Sequence, residues 1–368
     1  MTIPVPLVER RDASYSIVVG RGILAELPRL LRDACPAARY AVISDAHVAR
    51  LYGEALVARC HDAAVPAQIF AFPAGESNKT RETWAALSDR MLAAQLGRDC
   101  AIVALGGGVV GDVAGFVAAT YLRGVPYVQV PTTLLAMIDS SIGGKTGVDV
   151  PHGKNLLGAF HQPRLVAVDL EVLGSLPPVQ LAAGMAEAVK HGVIADADYF
   201  GFLETAAAAV LARDPAALER AVTRSIEIKA EVVTADEQEA GRRAILNFGH
   251  TVGHAVEAAA KFAVLHGEAV AIGMACEARL AEALAIATPG TAARVRGLLE
   301  RFGLPLTRPA AAPVDELMQA MQLDKKARAG AVRFALPRAI GTMHGDAQGG
   351  WTVAAPAEMV WDALAAAN

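Results

Sequence analysis

Lysine is scarce in this chain, with 8 residues beside 26 arginines among 368. Arginine therefore carries the ordinary surface charge, and the few lysines fall where a compact, flexible ammonium is wanted rather than a planar fork. Seven of them, Lys79, Lys145, Lys154, Lys190, Lys229, Lys325 and Lys326, lie in short segments bearing Gly, Asp, Asn or Glu, which points to a cationic pocket. Long apolar runs are missing too. No uncharged stretch is longer than 124–138, which is interrupted by Pro126 and Pro131 and falls short of the roughly 20 residues of a membrane span. Residues 1–11 lack the apolar core of a signal peptide. The four cysteines, Cys35, Cys60, Cys100 and Cys276, have no paired spacing, as expected of free buried thiols in a reducing compartment. No basic run accompanies the net charge of -4, which argues against nucleic acid. Together these absences predict a cytoplasmic protein with no membrane partner.

A chain of 368 residues exceeds the size at which one core keeps growing, so two domains are expected. As far as about Pro177, short β-branched runs alternate with helical stretches. Strands are predicted at 15–19, 40–44, 67–72, 100–105, 127–130 and 165–169, several ending in Gly, Asp or Pro as strands do at the ligand edge of a parallel sheet. Beyond Leu181 an Ala-, Leu- and Glu-rich helical period takes over. The expectation is an α/β Rossmann-like NAD-binding domain, 1–177, and an all-α metal- and substrate-binding domain, 178–368. Pro177-Pro178 is the junction, with the active site in the cleft between the domains.

The strand at 100–105 runs into Gly106-Gly107-Gly108-Val109-Val110-Gly111-Asp112, where Gly106, Gly108 and Gly111 match a dinucleotide fingerprint. Glycines at such a turn let a pyrophosphate approach backbone amides. The acidic residue expected about 20 positions later is absent, and Asp45 is the substitute for holding a ribose hydroxyl. Gly75-Glu76-Ser77-Asn78-Lys79 and Pro131-Thr132-Thr133 offer further loop donors, although such residues are commonly plain turn-formers. The segment 139–147 resembles a P-loop only superficially, because the four residues between the first Gly and Gly-Lys are missing; triphosphate hydrolysis is excluded. It remains a glycine loop presenting Asp139 and Lys145, followed by Lys154-Asn155 and preceded by Arg123.

Arg243, Asn247, His250 and His254 follow at i, i+4, i+7 and i+11, which places them along one face of a predicted single helix. That helix is otherwise apolar, so the narrow polar stripe lines an internal cavity rather than solvent. Glu187 and Lys190 share a face three residues apart. Glu187 with two of His250, His254 and His266 would give three N/O ligands and an open fourth position, as in catalytic zinc sites. Spacing alone leaves open which two histidines serve.

These segments, with Tyr121-Leu122-Arg123-Gly124, 130–147, 153–160, Ala186-Glu187, 247–254, His266-Gly267-Glu268 and Asp324-Lys325-Lys326, resemble the 3-dehydroquinate synthase family of sugar-phosphate cyclases in order over most of the chain. The resemblance implies NAD, one zinc or cobalt ion and a homodimer. It implies Glu187, His250 and His266 as metal ligands, leaving His254 for proton transfer or substrate contact. It implies Asp45, Gly75, Glu76, Ser77, Asn78, Lys79, Gly108, Val109, Val110, Gly111, Asp112, Thr132, Thr133, Lys145 and Lys154 on the cofactor. Arg123, Asp139, Lys145, Asn155, Lys190, Lys229, Arg243, Asn247, His254 and a lysine of the Lys325-Lys326 pair would meet a phosphorylated acidic sugar. Glu239, Lys145, Lys190, Arg243, Asn247 and His254 form the implied catalytic group. Asp149 departs from the family's usual Asn, and Met137 from a frequent Gln. The implied reaction converts 3-deoxy-D-arabino-heptulosonate 7-phosphate to 3-dehydroquinate; another cyclase, a metal-dependent polyol dehydrogenase or a noncatalytic NAD-binding protein are the alternatives.

Overall fold

The structure is a computed structural model that describes residues 12–151, 153–261, 263–323, 332–345 and 350–366. Its strands are β1 (Ser16–Gly20), β2 (Arg39–Asp45), β3 (Ala67–Phe72), β4 (Cys100–Gly106), β5 (Tyr127–Pro131), β6 (Lys145–Val150), β7 (Gly153–Phe160), β8 (Leu165–Asp169), β9 (Arg333–Phe334), β10 (Pro337–Ala339), β11 (Thr342–Met343) and β12 (Val353–Ala354). Its helices are α1 (Ile23–Ala34), α2 (Ala46–Val48), α3 (Glu54–Asp62), α4 (Arg81–Ala93), α5 (Gly108–Thr120), α6 (Pro178–Ala195), α7 (Ala197–Leu211), α8 (Pro215–Ala235), α9 (His250–Ala259), α10 (His266–Ala283), α11 (Thr291–Arg301), α12 (Val314–Leu323) and α13 (Ala357–Ala365). None of the described helices is long and apolar enough to cross a membrane.

Packing divides the chain into two compact units. The first comprises residues up to 130 with 144–168, the second 131–143 with 169 onward. The expected junction at Pro177-Pro178 comes shortly after the last crossing, where Pro178 starts α6 in the first-turn position that needs no amide donor.

In the first unit a six-stranded sheet has the order β1-β8-β5-β4-β2-β3, and β2 runs parallel to both β3 and β4. All six predicted strands are present. The two-residue period of β2 and β4 explains why both faces are covered. Ala41, Ile43, Ile102 and Ala104 point into a core shared with α4 and α5. Val42, Ala101, Val103 and Leu105 point into another, shared with α1 and α3. The sequence reading missed the antiparallel pair β6 and β7. Glycine is a poor strand former, yet here it is required: a Cβ on Gly158 would lie 2.2 Å from the Thr146 carbonyl oxygen across the ladder.

Helices α6 to α13 make up most of the second unit, with a core in which α9, α10, α12 and α13 bury Val252, Val256, Ile272, Leu280, Leu317 and Leu364. The description of this region as all-α needs one correction. Two short antiparallel ladders, β9 with β12 and β10 with β11, lie between α12 and α13. Phe334 and Leu336 anchor that stretch in the core, and Gly341 turns it at φ 84°.

Candidate active site

In the first unit, β4 ends at Gly106 and α5 starts at Gly108, with no side chain capping the helix. The first amides of a helix have no partner within it, which is what an anion site uses. A Cβ on Gly106 would meet the Val110 side chain at 2.5 Å, so this glycine is needed for close packing of the turn, and one on Gly111 would meet Gln129 Oε1 at 2.9 Å. Beside it, Lys79 Nζ donates to Asp112 Oδ2 at 2.5 Å and to Asn155 Oδ1 at 2.6 Å. Burial opposes the Lys79 charge, but Asp112 and Glu76 outweigh burial and raise its pKa. Lys154 pairs with Glu76 at 3.1 Å. Asp149 holds the other side of Asn155, accepting its backbone N–H at 2.8 Å, where Asn155 has φ 54°. The residue that departs from the family pattern thus fixes a backbone turn. Asp45 caps α2 by accepting the amides of His47 and Val48. Gly75 has φ 109° and opens the turn Glu76–Asn78. In that turn Ser77 is exposed, and Asn78 donates to the Ala74 carbonyl. Val109 is partly buried and packs on the neighbouring core, whereas Val110 is fully buried within it. Lys145 opens β6 with an exposed side chain, and Arg123 is exposed at φ 71°.

Asp139 counts with the second unit, Lys145 with the first. Thr132 and Thr133 also belong to the second unit. Thr133 Oγ1 caps the Ala136 amide at 3.2 Å, while Thr132 Oγ1 is buried and makes no hydrogen bond to a described residue. Asp139, in the π-helical turn Ala136–Ser140, accepts from Lys229 Nζ at 2.5 Å and lies 3.8 Å from Lys190 Nζ. Burial works against Asp139 ionising, but Lys229 and Lys190 hold its carboxyl well below the ordinary range. Arg243 is buried and donates to the carbonyls of Glu237 and Gly143. Two ammonium groups thus flank the Asp139 carboxylate, which suits this cluster to an anionic ligand.

The single helix predicted through Arg243, Asn247, His250 and His254 does not exist. Arg242–Asn247 is a 3₁₀ turn, Phe248 is extended at ψ 126°, and Gly249, at φ 80°, precedes α9. Asp236 causes the tight winding, because its carboxylate accepts the amides of Ala240, Gly241 and Arg243. Asn247 Nδ2 donates to Glu239 Oε1 at 3.0 Å. Only His250 and His254 share a helix, with their rings edge to face at 5.3 Å.

Glu187 and Lys190 lie within α6, both buried, and the Lys190 ammonium contacts Glu187 Oε2. The other carboxylate oxygen, Oε1, is buried, accepts no well-formed hydrogen bond from a described residue, and faces His250 Nε2 at 3.5 Å and His266 Nε2 at 3.6 Å. Both imidazoles are held from behind. His250 Nδ1 lies 3.2 Å from the Phe248 carbonyl oxygen, and His266 Nδ1 lies 3.2 Å from Glu257 Oε2. This is the orientation of metal-binding histidines, whose second nitrogen donates to an oxygen while the first faces the ion. The donor atoms of Glu187, His250 and His266 lie within 4.8 Å of one another. His254, Glu257 and His266 also cluster, but Glu257 already engages the far nitrogen of His266. Burial opposes the His266 charge, yet Glu187 and Glu257 raise its pKa to about 10.

The His-Gly-Glu sequence has a structural logic. Glu268 accepts the Leu265 amide at 3.0 Å and closes the start of α10. Gly267 lies so near α6 that a Cβ would come within 1.8 Å of the Ala183 carbonyl oxygen. That approach sets the start of α10, where His266 stands, against α6. Sequence reasoning missed Glu257, although it lies three residues beyond His254, within reach of the periodicity that singled out the histidines. It also missed His191, buried against Ser225 at 2.6 Å, whose pKa burial and Lys190 push down to about 3. Lys325 and Lys326 lie outside the described residues.

Comparison with known proteins separates the possible owners of such a site. Residues 69–183 match the N-terminal family model of 3-dehydroquinate synthase, and residues 184–327 match the C-terminal one. The chain belongs to the 3-dehydroquinate synthase family. It is 53% identical over 332 residues to the 3-dehydroquinate synthase of Symbiobacterium thermophilum, covering 90% of this chain and 93% of that one. Among solved structures, 2-epi-5-epi-valiolone synthase from Streptomyces hygroscopicus, with NAD+ and Zn2+ bound, superposes with a TM-score of 0.89 at 32% identity, covering 98% of this chain and 99% of that one. A 2-deoxy-scyllo-inosose synthase complexed with carbaglucose-6-phosphate, NAD+ and Co2+ gives 0.88 at 29%, covering 96% and 97%. The fold is therefore common to several cyclases, while sequence identity is higher to the dehydroquinate-forming relative.

Proposed function

We propose that this chain converts 3-deoxy-D-arabino-heptulosonate 7-phosphate to 3-dehydroquinate and phosphate, a carbon–oxygen lyase step of the shikimate pathway. The observation that carries this reading is the juxtaposition of Glu187, His250 and His266 with the Lys190–Asp139–Lys229 cluster. Glu187, His250 and His266 would hold zinc or cobalt, the donor set fitting either ion. The α5 turn, Asp45, the Glu76–Lys79 segment, Asp112 and Lys154 would hold NAD. When bound, the two cofactors supply reversible hydride exchange and polarisation of the alcohol oxygen.

The chain's own residues supply positioning and proton handling. Lys190, Lys229 and Arg243 bind the substrate's anionic groups through charge-assisted hydrogen bonds, and fixed cations cost little reorganisation as charge develops. Asp139 spaces the two lysines and maintains their charge. His254, beside the ligand histidines, exchanges the proton of the oxidised alcohol. Asn247 and Glu239 form a pair that orients the substrate. Lys145, Asn155, Arg123 and one of Lys325 and Lys326 complete the substrate contacts. A cytoplasmic homodimer is the form we propose.

Incubation of the protein with the heptulosonate phosphate, catalytic NAD and zinc tests the reading. One phosphate and one 3-dehydroquinate should form per turnover with no net NADH. Stoichiometric NADH would instead mark a polyol dehydrogenase, and inertness toward this substrate would favour another cyclase activity.

A further inference from the structure

Glu277 is a fully buried carboxylate. It lies on α10, about three turns beyond His266. Its Oε2 accepts the Gly249 N–H at 2.7 Å, and its Oε1 accepts the Val252 N–H at 3.1 Å. Those amides bracket His250, the first residue of α9. One carboxylate therefore ties the helix that begins with His266 to the backbone on both sides of His250. The helices are close enough for this because a Cβ on Gly273 would lie 1.9 Å from the Gly249 carbonyl oxygen. A buried carboxylate is unfavourable unless fully hydrogen-bonded, and helix α9 offers it unsatisfied N-terminal amides and the positive end of the helix dipole.

We infer that Glu277 is a positioning residue for the metal site, setting the place of His250 relative to His266 before any ion binds. The inference rests on the ligand reading given above. Two amide hydrogen bonds at the start of α9 fix the backbone from which the imidazole projects, and the Phe248 carbonyl then fixes the ring. Loosening the first constraint lets the Nε2 atoms drift from the separation that suits a divalent ion.

Glu277→Gln keeps the shape but presents an NH2 group to one of the two amides. It should weaken zinc or cobalt binding about 10- to 100-fold in a chelator competition, the usual range for outer-shell partners of metal ligands. The visible absorption of the cobalt form should change, and NAD binding should not. Glu277→Asp, which retains the charge at shorter reach, should fall between. Wild-type metal affinity and cobalt spectrum in Glu277→Gln, with only a lower melting temperature, would reduce Glu277 to a structural cap and overturn the inference. His250→Ala keeps the two readings apart: if it binds metal normally, the ligand assignment has failed instead. If neither Glu277 variant folds, amide exchange on the metal-free wild type decides. The Gly249 and Val252 amides should be protected as well as the middle of α10, and fast exchange at both would overturn the proposal.

Discussion

At the residue scale, spacing raised the two histidines of α9 equally, and their environments separate them. His250 Nε2 faces the Glu187 oxygen with its other nitrogen anchored, whereas His254 stands beside that arrangement. His250→Ala should therefore lose its metal by elemental analysis. His254→Ala should stay loaded and turn over about 10² to 10⁴-fold more slowly, as for loss of a general acid or base. The reverse pattern of metal content would reassign the ligands. Asp139 offers a second test, because removing it leaves Lys190 and Lys229 facing each other without their shared anion. Asp139→Asn should cost roughly 3 kcal/mol or more in urea unfolding, as for one partner of a buried pair. Its carboxyl is held below the unfolded value, so this contribution is complete above about pH 5 and is lost progressively as pH falls from the unfolded value to the lower folded one. An unfolding gap between wild type and variant that closes above pH 5 would contradict the assignment. Residue types were legible in the sequence because lysine is rare; their partners were not, since Glu257, Asp236 and Glu277 act through contacts that sequence distance conceals.

At the element scale, the strands and α5 could be read because their periodicity and glycine turn belong to local physics. The helix through Arg243 and His254 could not, because its break depends on a carboxylate at Asp236 and on the left-handed Gly249 pressed against Met274. Likewise the ladder of β6 and β7 exists through backbone contact at Gly147 and Gly158 rather than through strand-forming side chains. Gly267→Ala probes how strictly such contacts are set. Its Cβ would collide with backbone rather than with a yielding side chain, so α10 has to shift away from α6. About 1 to 3 kcal/mol of stability should be lost, with a parallel loss of bound zinc as His266 retreats. Thermal melting and metal analysis on the same sample check both; unchanged zinc content would show that the approach of α10 serves stability alone.

At the scale of the whole molecule, the cysteine pattern has a direct test. Burial pushes the thiols of Cys35 and Cys60 up to about 11 and that of Cys276 up to about 12, and raises Cys100. None should react with a thiol reagent at neutral pH until denaturant is added, when all four should. One rapidly labelled thiol in the folded protein would show that a core opens more readily than its packing indicates. The change of period was legible, but the excursion of 131–143 into the second unit was not, because a short loop carries no periodicity that reports its neighbours. That excursion has a bearing on biosynthesis. A ribosome delivers Asp139 before either lysine that will hold it, and then delivers 144–168, which complete the first unit. The segment must therefore wait as a loop emerging from a finished sheet until α6 and α8 arrive. A fragment starting at Pro178 would keep Lys190 beside Glu187 on α6 but would leave Lys229 without the carboxylate it contacts here.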